Sequence, residues 1–216
     1  DTATNVPPEW APQAAVWAGW PHLRGEWGDA FDGARHEIAS FVRALSHVTR
    51  VKIACGSREA YGSAWFALES EIALGRVTLH TLPSGDIWLR DTGPIIASKD
   101  DQPIALTFAF NGWGGKYVMP GDTMTASGIA SVEGVAVLPQ AFVLEGGAVD
   151  FDGAGRVMTT RQCLLNPHRN TGWHEEMAAR ALDTAFRPET VLSLGDSLLD
   201  DPTDSPLLTF PAFTGP

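Results

Sequence analysis

Val149-Asp-Phe-Asp-Gly-Ala-Gly-Arg-Val-Met-Thr-Thr160 decides how this chain is read. Two apolar runs, Val149 to Phe151 and Arg156 to Thr160, enclose Asp152-Gly-Ala-Gly155, where glycine supplies the positive φ that a short turn needs. The stretch is therefore a β-hairpin. Downstream, Thr171 can cap a helix with Trp173, Met177 and Ala181 or Ala185 on its inner face, and Val191 to Leu194 follows as a strand. The unit is hairpin, helix, strand.

The same pattern begins earlier in the chain. Ile95 to Ser98 and Ile104 to Phe110 flank Lys99-Asp-Asp-Gln-Pro103, a second hairpin by turn chemistry. Further upstream, Phe31, Ala34, Ile38, Phe41, Val42 and Leu45 recur every three or four residues and predict a helix with one buried stripe. Arg50 to Cys55 follows as a strand, then Ser57 as the cap of a helix carrying Tyr61, Trp65 and Leu68, then Val77 to Leu82 as a strand. Short strands alternating with helices place the chain in the α/β class, built from similar modules. Periodicity alone leaves a doubly wound sheet open as well.

Composition limits what such a fold can do. The 216 residues suit one globular domain spanning 1–216, with 44% hydrophobic and 19% charged residues and no apolar run long enough to cross a bilayer. The start at Asp1 to Trp10 shows no signal-peptide pattern, and two cysteines make no disulfide framework, so the cytoplasm is the expected location. A formal charge of -11 argues against nucleic acid as a partner and in favour of a small cation. His22, His36, His47, His80 and His174 have no mutual metal-ligand spacing, so no metal is expected.

Four segments can carry chemistry. Asp86-Ile-Trp-Leu-Arg-Asp-Thr-Gly-Pro94 has no regular period. Its Asp91 can accept two hydrogen bonds from a planar cation while Trp88 covers the cation's face. An Asp–Arg pair fixing a turn explains this loop equally well in isolation. Ala141-Phe-Val-Leu-Glu-Gly-Gly-Ala148 presents Glu145 at a strand end beside two glycines that let a ligand approach, although a plain surface turn would read the same. Asn111-Gly-Trp-Gly-Gly115 suits a loop with Trp113 as a lid, or an ordinary aromatic-anchored turn. Cys163 and His168 share a segment, but Cys163 sits in an apolar Cys-Leu-Leu run and reads as a small core residue, as does Cys55.

Taken together, Pro7 to Pro21, Asp86 to Pro94, Leu144-Glu-Gly-Gly147 and Cys163-Leu-Leu-Asn-Pro-His-Arg-Asn170 resemble the agmatine deiminases and the Porphyromonas-type peptidylarginine deiminases, over residues 7–204. The resemblance implies a pentein fold of ββαβ modules around a pseudo-fivefold axis, of which this chain would form a partial β/α propeller. It implies hydrolysis of agmatine to N-carbamoylputrescine and ammonia in putrescine biosynthesis, with no cofactor. The alternatives are deimination of peptidyl-arginine and non-catalytic binding of guanidinium cations. Asp91 and Glu145 match the carboxylates that hold the guanidinium, Trp88 the pocket wall, and Trp113 is a further wall. The family's Asp-x-Thr-Asp-Gly-His-Val-Asp segment is replaced here by Asp201-Pro-Thr-Asp-Ser-Pro-Leu-Leu208, followed by an atypical tail over 205–216. The family's catalytic histidine and cysteine have no counterpart, so the chain reads as truncated and is expected to be inactive alone. Exposed sheet edges would then favour self-association.

Overall fold

The computed structural model describes residues 4–195 together with 212 and 213. They form two compact units. One comprises residues 12–89 and 119–128, and the other comprises 1–11, 90–118 and 129–216. No helix among the described residues is long and apolar enough to cross a membrane.

The first unit is built on a parallel sheet of three strands, β1 (Val16–Gly19), β2 (Val51–Cys55) and β3 (Val77–Thr81). Two helices make the crossovers, α1 (Phe31–Leu45) between β1 and β2 and α2 (Arg58–Ala67) between β2 and β3. Parallel neighbours require such crossovers because a tight turn cannot return the chain in the same direction. Ser57 caps α2 as the sequence predicts, its side chain accepting from the Ala60 amide at 3.0 Å. The buried faces are narrower than the apolar pattern suggested. On α1, Phe31, Ala39 and Val42 are buried while Phe41 is 55% exposed. On α2, Ala60 and Ala64 face the sheet with Leu68 beyond them, and the larger Tyr61 and Trp65 stay partly exposed. Small residues win these positions because a helix pressed closely on a sheet leaves little room for a ring.

The second unit repeats one arrangement twice. Strands β4 (Ile95–Lys99) and β5 (Gln102–Ala109) pair antiparallel, and β6 (Ala136–Val143) adds parallel to β5. The connection from β5 to β6 includes α3 (Asp122–Glu133), a helix that the sequence reading passed over and of which residues 129–133 belong to this unit. Strands β7 (Val149–Phe151) and β8 (Arg156–Thr160) pair antiparallel, and β9 (Thr190–Leu194) adds parallel to β8 after α4 (Glu175–Phe186). Both are ββαβ modules, the arrangement expected from the hairpin-helix-strand pattern.

The two hairpins turn by different chemistry. Between β4 and β5 the turn shrinks to Asp100 and Asp101, both left-handed at φ 52° and 59°, which matches the twist of the flanking strands. Between β7 and β8, Asp152 accepts from the amides of Ala154 at 2.8 Å and Arg156 at 2.9 Å, with Gly153 and Gly155 at positive φ. Thr171 does not cap α4. Its hydroxyl donates to the Pro167 carbonyl at 3.0 Å, and the residue before the helix is His174. Met177 faces outward, and the inner face consists of Ala178, Leu182, Ala185 and Phe186.

The core of this unit joins both modules. Leu106, Phe142, Leu144, Val149 and Val157 pack with Cys163, Leu182 and Phe186, and Phe186 meets Phe151 edge-on at 4.9 Å. Leu182 is 1% exposed, so truncating it leaves a cavity that the surrounding strands cannot close. Leu182→Ala is expected to cost about 2–5 kcal/mol, read as a lower urea midpoint with the slope unchanged.

Candidate functional site

Glu145 follows the bulged end of β6 and precedes a 3-10 turn, Gly146–Ala148, that leads into β7. It is therefore held at the junction of the two modules of the second unit. Its side chain is almost completely buried. A buried carboxylate requires a cation and hydrogen bonds to remain charged. Arg169 supplies both, its Nε donating to Glu145 Oε1 at 2.8 Å and Oε2 at 3.0 Å.

Asp91 approaches the same junction from the short helix Leu89–Thr92. It is 7% exposed, and its Oδ1 accepts from the Gly147 amide at 3.0 Å. Arg90 fastens the two segments: its Nε donates to the Gly146 carbonyl at 3.2 Å and its Nη2 to the Val149 carbonyl at 3.4 Å, while Glu9 pairs with Nη1. Gly146 has to be glycine for this fit, because an added Cβ would lie 2.2 Å from the Arg90 carbonyl oxygen. The turn-fixing role foreseen for this loop thus falls to Arg90 and leaves Asp91 free to face Glu145.

The electrostatics follow from the packing. Burial first, and the Glu145 charge second, push the Asp91 carboxyl up to about 6. The Gly147 amide, the Trp113 indole and Arg90 act in the opposite direction. Asp91 and Glu145 are thus a pair of buried acids in one neighbourhood, one with a standing counter-ion and one without a comparable ion pair of its own.

Trp113 completes this group from Asn111-Gly-Trp-Gly-Gly115. It is 4% exposed and packs edge-on against Phe110 at 4.9 Å. Its backbone is left-handed at φ 54°, within a run in which Gly112, Gly114 and Gly115 are also at positive φ. Bulky residues rarely adopt this conformation, and it concentrates at ligand sites. Its indole N–H lies near enough to Asp91 to favour the charged carboxylate, yet closes no hydrogen bond of ordinary geometry. Asn111 holds the loop, accepting from the Gly114 amide at 2.9 Å and donating to the His168 carbonyl at 2.8 Å.

The Asn166–Asn170 loop braces all of this from below. Asn170 accepts from the Val143 amide and donates to the Val143 carbonyl, both at 3.0 Å, so its amide substitutes for a neighbouring strand at the end of β6. Arg169 and Asn170 together fix where Glu145 points.

Comparison with known proteins decides the family. The description Porphyromonas-type peptidyl-arginine deiminase fits residues 5–216. The chain belongs to that family. Among relatives, the agmatine deiminase of Stutzerimonas stutzeri (strain A1501) is 32% identical over 218 aligned positions, covering 98% of this chain and 58% of the relative. Among solved structures, the C. jejuni agmatine deiminase with substrate bound superposes with a TM-score of 0.86 at 25% identity, covering 98% of this chain and 62% of that one. The Enterococcus faecalis agmatine deiminase gives 0.85 at 28%, covering 94% and 56%. The chain spans less than two thirds of the length of these relatives. The fold is the pentein fold, and the two ββαβ modules are its repeating unit.

In this member of the Porphyromonas-type family, Asp91, Glu145 and Trp113 come together within one unit. Trp88 belongs to the other unit, where it is 50% exposed and its indole donates to Asp86 Oδ2 at 3.0 Å. Asp86 also accepts from the Trp27 indole at 3.1 Å. Cys163 and His168 do not form a thiolate-base pair: the cysteine is buried and the histidine is exposed. Cys55 is buried as well, and its thiol is pushed up to about 12. The segment 201–208, where the family's histidine motif was expected, lies outside the described residues. Sequence reasoning missed Arg169 and Asn170. Both stand in the Cys163–Asn170 segment, where the cysteine and histidine are the residue types that signal chemistry and a buried arginine is not marked by its neighbours.

The raised Asp91 carboxyl has a measurable effect on stability. Folded Asp91 keeps its proton up to about 6, whereas the ordinary value for a free side chain is 3.8. Between those values the folded state binds more protons, so stability falls as pH rises through this window and does not change on this account below it. Asp91→Asn is expected to stabilise the chain at pH 7 by about 2–3 kcal/mol and to flatten the pH dependence between about 4 and 6, measured by urea unfolding across that range.

Proposed function

We propose that this chain carries the guanidinium-holding part of an agmatine deiminase, the enzyme class that hydrolyses agmatine to N-carbamoylputrescine and ammonia. One observation carries the reading: Asp91 and Glu145, two buried acids from distant parts of the sequence, converge beside a strained Trp113. A guanidinium is flat, cationic and rich in N–H donors, so two carboxylates can grip its edges while an aromatic face covers its plane. Holding the cation planar and aligned is what attack on its central carbon requires. The relatives named agmatine deiminase favour agmatine over peptidyl-arginine as the substrate.

The chain supplies the grip rather than the nucleophile. Cys55 and Cys163 are both buried, and neither is presented for attack. Free cysteines accord with a reducing cytoplasm as the site of action. Self-association belongs to the same reading, since β6 exposes Val137 and Leu138 and β9 exposes Val191 and Leu192. Sedimentation velocity showing a monomer at micromolar concentration would remove that part alone.

Calorimetry tests the grip directly. Agmatine is expected to bind the 216-residue chain without releasing ammonia, and its affinity is expected to rise from pH 5 to pH 7.5 as Asp91 loses its proton. Asp91→Ala is expected to weaken binding at least about tenfold, the scale for removing a charged hydrogen-bonding partner. Equal heats for the wild type and Asp91→Ala would remove Asp91 from the pocket. Turnover at an enzymatic rate would show that a nucleophile had been overlooked.

A further inference from the structure

We propose that Arg169 is a positioning residue, the resident counter-ion of Glu145, which keeps this carboxylate charged and aimed so that one incoming guanidinium group completes the charge of the site. This rests on the guanidinium reading above and extends it to a residue that need not touch the substrate.

The argument begins with burial. The Arg169 and Glu145 side chains are each 1% exposed, so neither charge is supported by water. One Nε–H shared between both carboxylate oxygens fixes the carboxylate plane relative to the guanidinium. Asn170, the next residue, is tied to both the amide and the carbonyl of Val143, so the backbone carrying Arg169 is anchored to the strand that carries Glu145. Pair and scaffold therefore move as one body.

The charge count explains why such a pair suits a site for one guanidinium. Asp91 and Glu145 contribute two negative charges when ionised, and Arg169 returns one, leaving a net charge of minus one. Arg90, the other cation that acts on Asp91, already pairs with Glu9 and bonds the Gly146 and Val149 carbonyls. The groups facing Asp91 are thus Glu145, Arg90, the Gly147 amide and the Trp113 indole. The single delocalised positive charge of a guanidinium group neutralises the remainder. Without Arg169, the two acids would have to share a proton, and that proton would have to leave before both carboxylates could grip a guanidinium.

Two readouts on the intact 216-residue chain separate this inference from the functional reading. The first needs no ligand: carboxyl-carbon NMR follows proton loss from the Asp91–Glu145 pair. In Arg169→Gln, the step near 6 is expected to move up by about one unit or more, because a pair without its cation holds a proton more tightly. A step that stays in place, or falls toward ordinary carboxylate values as a merely loosened structure would give, overturns the proposal. The second is agmatine affinity at pH 7.5, expected to fall at least about 100-fold in Arg169→Gln, as for a buried charge stripped of its partner. Arg169→Lys, which keeps the charge without the planar fork, is expected to leave the carboxyl step in place and to weaken agmatine about tenfold. It carries the test should the glutamine variant fail to fold, and wild-type affinity in the lysine variant would overturn the proposal. If the wild type shows no agmatine heat, the guanidinium reading fails, while the ligand-free titration still decides the role of Arg169.

Discussion

A carboxylate removed from water is the constraint on which this site depends. Glu145 is almost wholly removed from water, so its charge must be met by other parts of the protein. Arg169 meets it through both oxygens. From that pair the neighbouring geometry follows: Asn170 ties the loop to Val143, and the His168 carbonyl receives the Asn111 amide that steadies the Trp113 loop. Short polar links therefore join the elements that present the two acids and the indole.

The pentein repeat explains why the acids can meet at all. Glu145 lies where one ββαβ module ends and the next begins, so the chain must turn sharply there, and the close approach of Arg90 to Gly146 permits it. The Gly147 amide, left over by the turn, becomes the donor to Asp91. The same two glycines thus serve the backbone path and the electrostatics. Asp91 receives one backbone hydrogen bond where Glu145 receives a full ion pair, and this asymmetry separates the two acids: one has a resident cation, the other is pushed up to about 6 by burial and by its neighbour.

Much of this was legible in the sequence, for identifiable reasons. Hairpins announce themselves through glycine and aspartate at fixed offsets, so β7 and β8 were placed to the residue. The acids stood out because Asp91 lies in a loop that gathers two acids, an arginine and a tryptophan before Gly93-Pro94, and Glu145 ends an apolar strand just before two glycines. Helix faces were less legible: Phe41, Tyr61, Trp65 and Met177 look like core residues by type, yet alanines at neighbouring positions allow closer packing and take the buried side. Helix α3 escaped because its Thr, Ser and Gly residues weaken the apolar period. Arg169 escaped because nothing local marks an arginine as buried. Its partner is 24 residues away, and the pairing exists only once β6 and the Asn166–Asn170 loop lie side by side.

Two features of the site act against the stability of the fold that carries it. A left-handed tryptophan costs about 1–3 kcal/mol, and an acid pushed up to about 6 costs a comparable amount at neutral pH. Neither is needed to close the core, since the cluster around Leu106, Val149 and Leu182 packs without them. A fold selected for stability alone would place asparagine at 91 and glycine at 113. Retaining aspartate and tryptophan makes sense if the strain is relieved when a planar cation settles between carboxylate and indole, supplying Asp91 with a counter-charge. The places where this sequence departs from the rules of stable design are therefore the places where its ligand is expected to make contact.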